Sequence, residues 1–224
     1  MKKEAVILLH GLGRTRFSLN KMASALRAHY QVINQGYPSR RYPIEKLAEQ
    51  AIGKSLEQCP DAEKVHFVTH SMGGILVRQY LTQHTIENLG HTVMLGPPNH
   101  GSELVDFFMS KPALSSLFKS INGPAGIQLN TSKHGKPATL SAADFKLGVI
   151  AGTKNLNPFF NLLIPGAHDG KVSVESSKLA GMQAHLVMPV DHTFMMQNDK
   201  VIEQVKSFIA VSYTHLTLPT IYSV

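Results

Sequence analysis

Short apolar runs alternate along this chain with longer stretches in which apolar residues recur at helical spacing. The runs at 5–9 (AVILL), 31–35, 65–68, 91–95, 145–151 and 185–189 read as strands. Their apolar, β-branched character is that of strands buried on both faces of a parallel sheet. Between them, 17–29, 44–58, 71–83, 102–109 and 197–210 read as helices. Strand and helix in regular succession predict an α/β fold, a mostly parallel six-stranded sheet with helices on both faces. With 224 residues, 43% of them hydrophobic, the chain can bury one sizeable core. No repeat, low-complexity tract or linker divides it, so residues 1–210 are expected to form a single domain.

One junction between strand and helix carries chemistry. Val68-Thr69-His70-Ser71-Met72-Gly73-Gly74 takes an apolar strand into a serine, two glycines and the helical pattern of 75–81. This order fits a nucleophile elbow, a sharp turn that lifts a serine hydroxyl clear of a sheet and leaves helix amides beside it. Strand and helix come so close there that small residues are required, and Gly73 and Gly74 supply them. Thr69 stands where the Gly-x-Ser-x-Gly pattern has its first glycine. The competing reading of the pentapeptide alone is a serine capping an ordinary helix.

A serine needs a base to become a nucleophile at neutral pH, and the base needs a carboxylate to hold its tautomer. In an elbow architecture the order along the chain is serine, acid, histidine. Asp169 follows the fifth strand within His168-Asp169-Gly170-Lys171-Val172, and His192 follows the sixth within Asp191-His192-Thr193. Loops after the carboxyl ends of parallel strands share one crevice, so Ser71, Asp169 and His192 are expected to converge. Among the other histidines, His66 and His70 flank the nucleophile strand and read as packing or hydrogen-bonding residues, while His100 competes from a turn after the fourth strand. Asp144 precedes a strand and falls at the wrong end of the sheet, and Asp191 reads as a turn-capping residue.

Acyl transfer also requires donors for the oxyanion of the tetrahedral intermediate. The first strand runs into His10-Gly11-Leu12-Gly13, which fits the loop that supplies one oxyanion amide, from Leu12, with Met72 supplying the second. The rival reading of Gly11-x-Gly13 is a dinucleotide fingerprint. That pattern wants glycine where Arg16 stands and an acidic residue in 31–35, which holds none.

HGLG at 10–13, THSMGG at 69–74, LGPPNHGS at 95–102, HDGKV at 168–172 and DHTFM at 191–195 together resemble the α/β-hydrolase superfamily, in particular small lipase-like serine esterases. The resemblance covers most of 1–210. It implies Ser71 as nucleophile, His192 as general base and acid, Asp169 as its orienting carboxylate, and the Leu12 and Met72 amides as oxyanion hole. The family often has two further strands ahead of the His-Gly loop, and a compact version without them is expected here. The implied activity is hydrolysis of carboxylic esters through an acyl-serine, on a small-molecule ester or lipid. Thioester, amide or acyl-transfer chemistry would use the same apparatus. The reading from another class is a non-catalytic relative that binds a small ligand or a protein partner.

Between 102 and 144 the alternation of elements lapses. Phe107, Phe108, Met109, Leu114, Leu117, Phe118 and Ile121 interleave with Lys111 and Lys119, and Gly, Pro, Ser, Thr and Asn then dominate. In the family an insertion here commonly covers the site, so 102–121 is expected either to shape an acyl pocket as a lid or to pack one apolar face on the sheet. The net charge is +7, and Arg14, Arg16, Arg40 and Arg41 form the densest basic cluster, near the mouth of the expected crevice. A solvated surface is the favoured reading of that cluster, with help to an anionic substrate as the alternative. No nucleic-acid motif or aromatic-rich basic stripe is present, and nucleic acid is not expected as a partner.

The single cysteine, Cys59, marks no oxidising compartment. The apolar stretch after Met1-Lys2-Lys3 is short for a signal peptide and ends in the His-Gly loop, and no apolar run reaches membrane-spanning length. A cytoplasmic protein without an integral membrane segment is expected, with no cofactor and no metal; the oligomeric state is not legible. Residues 211–220 (VSYTHLTLPT) resemble the translation of a sequencing-library adapter, and 211–224 are set apart from functional reasoning as an artefactual tail.

Overall fold

The first apolar run becomes β1 (Ala5–Leu9), every residue of which is buried. It lies inside a six-stranded sheet with β2 (Gln31–Ile33), β3 (Val65–His70), β4 (Leu89–Leu95), β5 (Leu147–Gly152) and β6 (Ala184–Met188). The spatial order is β2-β1-β3-β4-β5-β6, and every pairing is parallel. This computed structural model describes residues 4–210. The tail at 211–224 and the residues Met1-Lys2-Lys3 lie outside the described residues.

Alternation of side chains along each strand divides the core in two. Ile7, Leu9, Phe67 and Met94 pack with α2 (Ile44–Leu56) and α3 (Met72–Leu81), where Leu47, Ile52, Ile75 and Leu76 are buried. Val6, Leu8, Val68, Val93 and Leu95 pack on the opposite face with α1 (Asn20–Leu26) and α7 (Asp199–Ala210). On α7, Val201, Ile202, Val205 and Ile209 form the buried stripe, spaced at one helical turn. A fully buried aliphatic or aromatic side chain contributes about 1.5–3 kcal/mol, so these two layers hold the sheet between them. Helices on both faces of an all-parallel sheet are the expected architecture, since parallel strands need crossover connections and bury both faces.

The expected helix at 17–29 is shorter than its pattern. Arg16–Leu19 is a 3₁₀ turn, and α1 stops at Leu26, where its buried face ends. The second strand likewise covers only three residues, at the exposed edge of the sheet.

The segment after β4 holds more helix than its composition suggested. α4 (Glu103–Ser110) is followed by α5 (Pro112–Gln128), and α5 is broken at Gly123, whose φ of 66° and ψ of −169° are not helical. Pro124 follows, restarting the helix with its fixed φ. The break is enforced from outside: a Cβ on Gly123 would stand 1.7 Å from the carbonyl oxygen of Arg40, in a region of backbone space essentially reserved for glycine. The Arg40 guanidinium donates in turn to the Ile121 carbonyl at 3.3 Å. Gly123→Ala is therefore expected to lower stability by about 2 kcal/mol and to loosen α5, read as earlier urea unfolding and faster amide exchange across 112–128.

Candidate active site

β3 ends at His70 and α3 begins at Met72, so Ser71 alone makes the turn between them. It is the only non-glycine residue with positive φ among the described residues, at φ 54° and ψ −123°. Backbone of this kind costs of order 1–3 kcal/mol and persists only where its surroundings enforce it. Here the Ser71 amide donates to the Leu95 carbonyl at 2.8 Å, and β1 passes beneath so closely that a Cβ on Gly73 would stand 2.6 Å from the Leu9 carbonyl. Thr69 does not disturb the turn. It remains a fully buried residue of β3, paired in register with Leu9 and Met94, and the turn begins after it.

Asp169 and His192 lie after β5 and β6 and meet, His192 Nδ1 donating to Asp169 Oδ2 at 2.6 Å with both side chains buried. The other carboxylate oxygen accepts the amides of Lys171 at 2.9 Å and Val172 at 2.8 Å, and the His192 amide donates to the Asp169 carbonyl at 2.9 Å. The carboxylate is thus fixed by two backbone donors and leaves its second oxygen for the imidazole, which directs Nε2 away from it. Ser71, His192, His70, Gly11 and Leu12 line one cavity of about 230 Å³. His100 is exposed and is not among the residues lining it, and Asp191 accepts the Thr193 and Phe194 amides, as a turn-capping residue does.

The His-Gly loop that reaches this cavity is held by an imidazole. His10 Nδ1 donates to the Gly11 carbonyl at 2.9 Å while Nε2 accepts from the Tyr37 amide at 3.4 Å. The Tyr37 ring stacks on His10 at 4.0 Å, and its hydroxyl donates to the His10 carbonyl. Ser39 Oγ accepts the Gly13 amide at 3.0 Å. Tyr37 and Ser39 escaped the sequence reading, since they belong to the stretch after β2 and no local pattern links them to residues some 26 positions earlier.

His70 is buried against the pair. Its Nε2 donates to the His192 carbonyl at 2.9 Å, and since a carbonyl only accepts, Nδ1 carries no proton and is left without a partner. Burial, and then the neighbouring His192, hold this imidazole well below its ordinary value of 6.5. The unfolded chain therefore takes up a proton below about pH 6.5 that the folded chain refuses, so the stability from a neutral His70 is complete above that pH and declines as the pH falls beneath it. His10, His66, His91 and His185 are lowered by burial in the same direction. The urea midpoint is expected to fall between neutral pH and about pH 5.5, and His70→Gln, which keeps a donor but cannot titrate, to flatten that slope.

Two further residues fix the surroundings. Arg78, on the largely buried α3, is buried and donates to the carbonyls of Asn99, Pro137, Leu140 and Ser141 and to Asn99 Oδ1, at 2.9–3.2 Å. Asn99 in turn donates to the Ser177 carbonyl at 2.8 Å, tying the turn after β4 to the short helix α6 (Val174–Ser177). Gly96 faces the acid and base: a Cβ there would stand 2.9 Å from Asp169 Oδ2 and 3.1 Å from His192 Nδ1. A charge directly after the apolar run Ile75-Leu76-Val77, on a helix that the pattern predicts to be buried, was the signal that could have drawn attention to Arg78.

The sequence matches the family model described as "Alpha/beta hydrolase family" over residues 6–204. The chain belongs to the alpha/beta hydrolase family. A search of curated proteins found no match. Among solved structures this chain is similar to the lipase BlEst2 of Bacillus licheniformis. The propeptide form has a TM-score of 0.73 at 18% identity, with 96% of this chain and 52% of that one covered. The mature form has a TM-score of 0.70 at 18% identity, with 93% of each chain covered. Phospholipase PlaB of Legionella pneumophila is similar at TM-score 0.73 and 18% identity over 94% of this chain and 60% of that one. The chain thus spans about half the length of the first of these and three fifths of the third. At such identity the likeness concerns the fold. Among the described residues no helix is long and apolar enough to cross a membrane.

Proposed function

We propose that this hydrolase cleaves carboxylic esters through an acyl-serine intermediate. The observation that carries the reading is the strained backbone of Ser71 at the mouth of a cavity that also holds the hydrogen-bonded pair of His192 and Asp169. Strain of this sort has a cost, and a catalytic turn is the usual reason a fold sustains it. In the proposed reaction Ser71 Oγ attacks the ester carbonyl carbon and its proton passes to His192 Nε2. The imidazolium that forms is oriented by Asp169. The negative charge on the carbonyl oxygen is received by the amides of Leu12 and Met72; Met72 is the first residue of α3, where helix N–H groups have no intrahelical acceptor. When the tetrahedral intermediate collapses, the alcohol oxygen takes the proton from His192 and departs. Water, activated by the same imidazole, then releases the acid.

The cavity wall formed by α4 and α5 supports an acyl-binding role for that segment. Leu104, Val105, Phe108 and Phe118 line the cavity, with Phe108 and Phe118 stacked at 5.5 Å. Labelling by a fluorophosphonate tests the reading directly. The reagent is expected to modify Ser71, identified by mass spectrometry of the labelled peptide, and labelling is expected to vanish in Ser71→Ala. A folded protein left unlabelled, with no turnover of p-nitrophenyl esters, would instead identify a ligand-binding relative.

A further inference from the structure

The cavity shared by Ser71 and His192 has two unlike sides. The side from α4 and α5 is mostly hydrocarbon, Asn122 being its polar exception, whereas Arg14 and Lys171 bring two cationic side chains to the same space. Neither takes part in an ion pair among the described residues. Arg14 Nη2 donates to the Thr193 carbonyl at 3.2 Å, next to His192 in the chain. Lys171 is bound through its backbone, its amide donating to Asp169 Oδ1 and its carbonyl accepting from Ser102 Oγ at 3.0 Å. The nearby Asp169 carboxylate is already engaged by the imidazole and two amides. Lys171 is an exposed residue; partial desolvation and then the neighbouring Arg14 guanidinium hold its ammonium below its ordinary value, against the opposing pull of Asp169. Cations that line a cleft without an ion-pair partner of their own raise the positive potential there. Of the four arginines prominent in the sequence, Arg14 lines this cavity, while Arg16 lies against the Phe17 ring, Arg41 against Tyr42, and Arg40 binds α5.

We propose that Arg14 and Lys171 form an anion subsite, and that the preferred ester carries a phosphate or carboxylate group on its alcohol portion. The inference rests on the reading of Ser71 and His192 given above and names the substrate class it would serve. Its direction follows from the chemistry: His192 hands its proton to the departing alcohol oxygen, so the alcohol portion lies on the His192 side. Arg14 is anchored through its guanidinium on the Thr193 carbonyl, and the Lys171 ammonium interacts electrostatically with Arg14 and Asp169, so both cations lie toward that same side. The apolar wall is left for the acyl chain. Guanidinium forks suit carboxylate and phosphate oxygens, and the ammonium adds a second point charge.

The test uses three esters of one medium-chain acid: with glycerol, with glycerol 3-phosphate and with glyceric acid. For the unaltered enzyme, kcat/KM for at least one of the two anionic esters is expected to exceed that of the glycerol ester by about tenfold or more, carried mainly by KM. The preference is expected to shrink as ionic strength rises. Arg14→Gln combined with Lys171→Gln should bring the ratio of anionic to neutral ester close to one, and Lys171→Arg should preserve it. Because both esters are measured on the same preparation, the ratio is insensitive to any loss of folded protein. No preference in the unaltered enzyme, or a preference that survives the double substitution, overturns the subsite. In that event hydrolysis of the glycerol ester and labelling of Ser71 still stand, whereas absence of all three hydrolyses together with absent labelling overturns the acyl-transfer reading as well.

Discussion

Ser71→Ala and His192→Ala are each expected to lower the turnover of a short p-nitrophenyl ester by about 10⁴- to 10⁶-fold, with the fold intact by circular dichroism. The size follows from the division of labour. Without Oγ no covalent intermediate forms, and without the imidazole the hydroxyl stays protonated and the leaving alkoxide receives no proton. Residual activity would come from binding and the oxyanion amides alone. In the proposed mechanism the two residues act as one device, so the double substitution should be scarcely worse than either single one. Asp169→Asn should approach the same loss: an amide in place of Oδ2 forces the imidazole toward the wrong tautomer, while Oδ1 can still accept from Lys171 and Val172. Ester hydrolysis persisting at the unaltered rate in Ser71→Ala would remove the basis of the proposed mechanism.

Arg78→Met is expected to produce the largest loss of stability, about 3 kcal/mol or more, seen as a lower urea midpoint without a change in slope. Methionine fills much of the same volume on α3 but donates nothing. The carbonyls of Asn99, Pro137, Leu140 and Ser141 would lose their charged donor, and groups of this kind are costly to bury unpaired. Because Asn99 is followed by the chain that leads into α4, and Pro98 lines the cavity, the damage should reach the site as well. A raised KM in the remaining folded protein is the expected sign. Arg78→Lys, one point charge in place of a fork, should recover only part of the stability.

The order of elements was legible in the sequence because burial in a parallel sheet leaves a local mark. Five residues such as Ala5 to Leu9, apolar without alternation, admit few other places in a fold. The serine turn was legible for a similar reason, since Ser71, Gly73 and Gly74 are neighbours in the chain. Less of the 102–144 stretch could be read. Its helical phase is interrupted at Gly123, and the cause of that interruption, the carbonyl of Arg40, lies more than eighty residues away. The supports of the site were hidden for the same reason: Tyr37 acts on His10, Arg78 on Pro137 and Leu140, and His70 on the carbonyl of His192.

Patterns of a few residues, unbroken apolar runs and the 3.6-residue helical period, thus carried the fold class, the strand–serine–helix turn and the candidates Asp169 and His192, because each depends on the chemistry of a short stretch of chain. Distances between stretches are set by how twisted strands and packed helices fit together, and no local rule encodes them. Tertiary packing alone could decide that the imidazole meets the carboxylate at 2.6 Å, that α5 bends over the cavity, and that Arg14 and Lys171, far apart in the chain, face the same space.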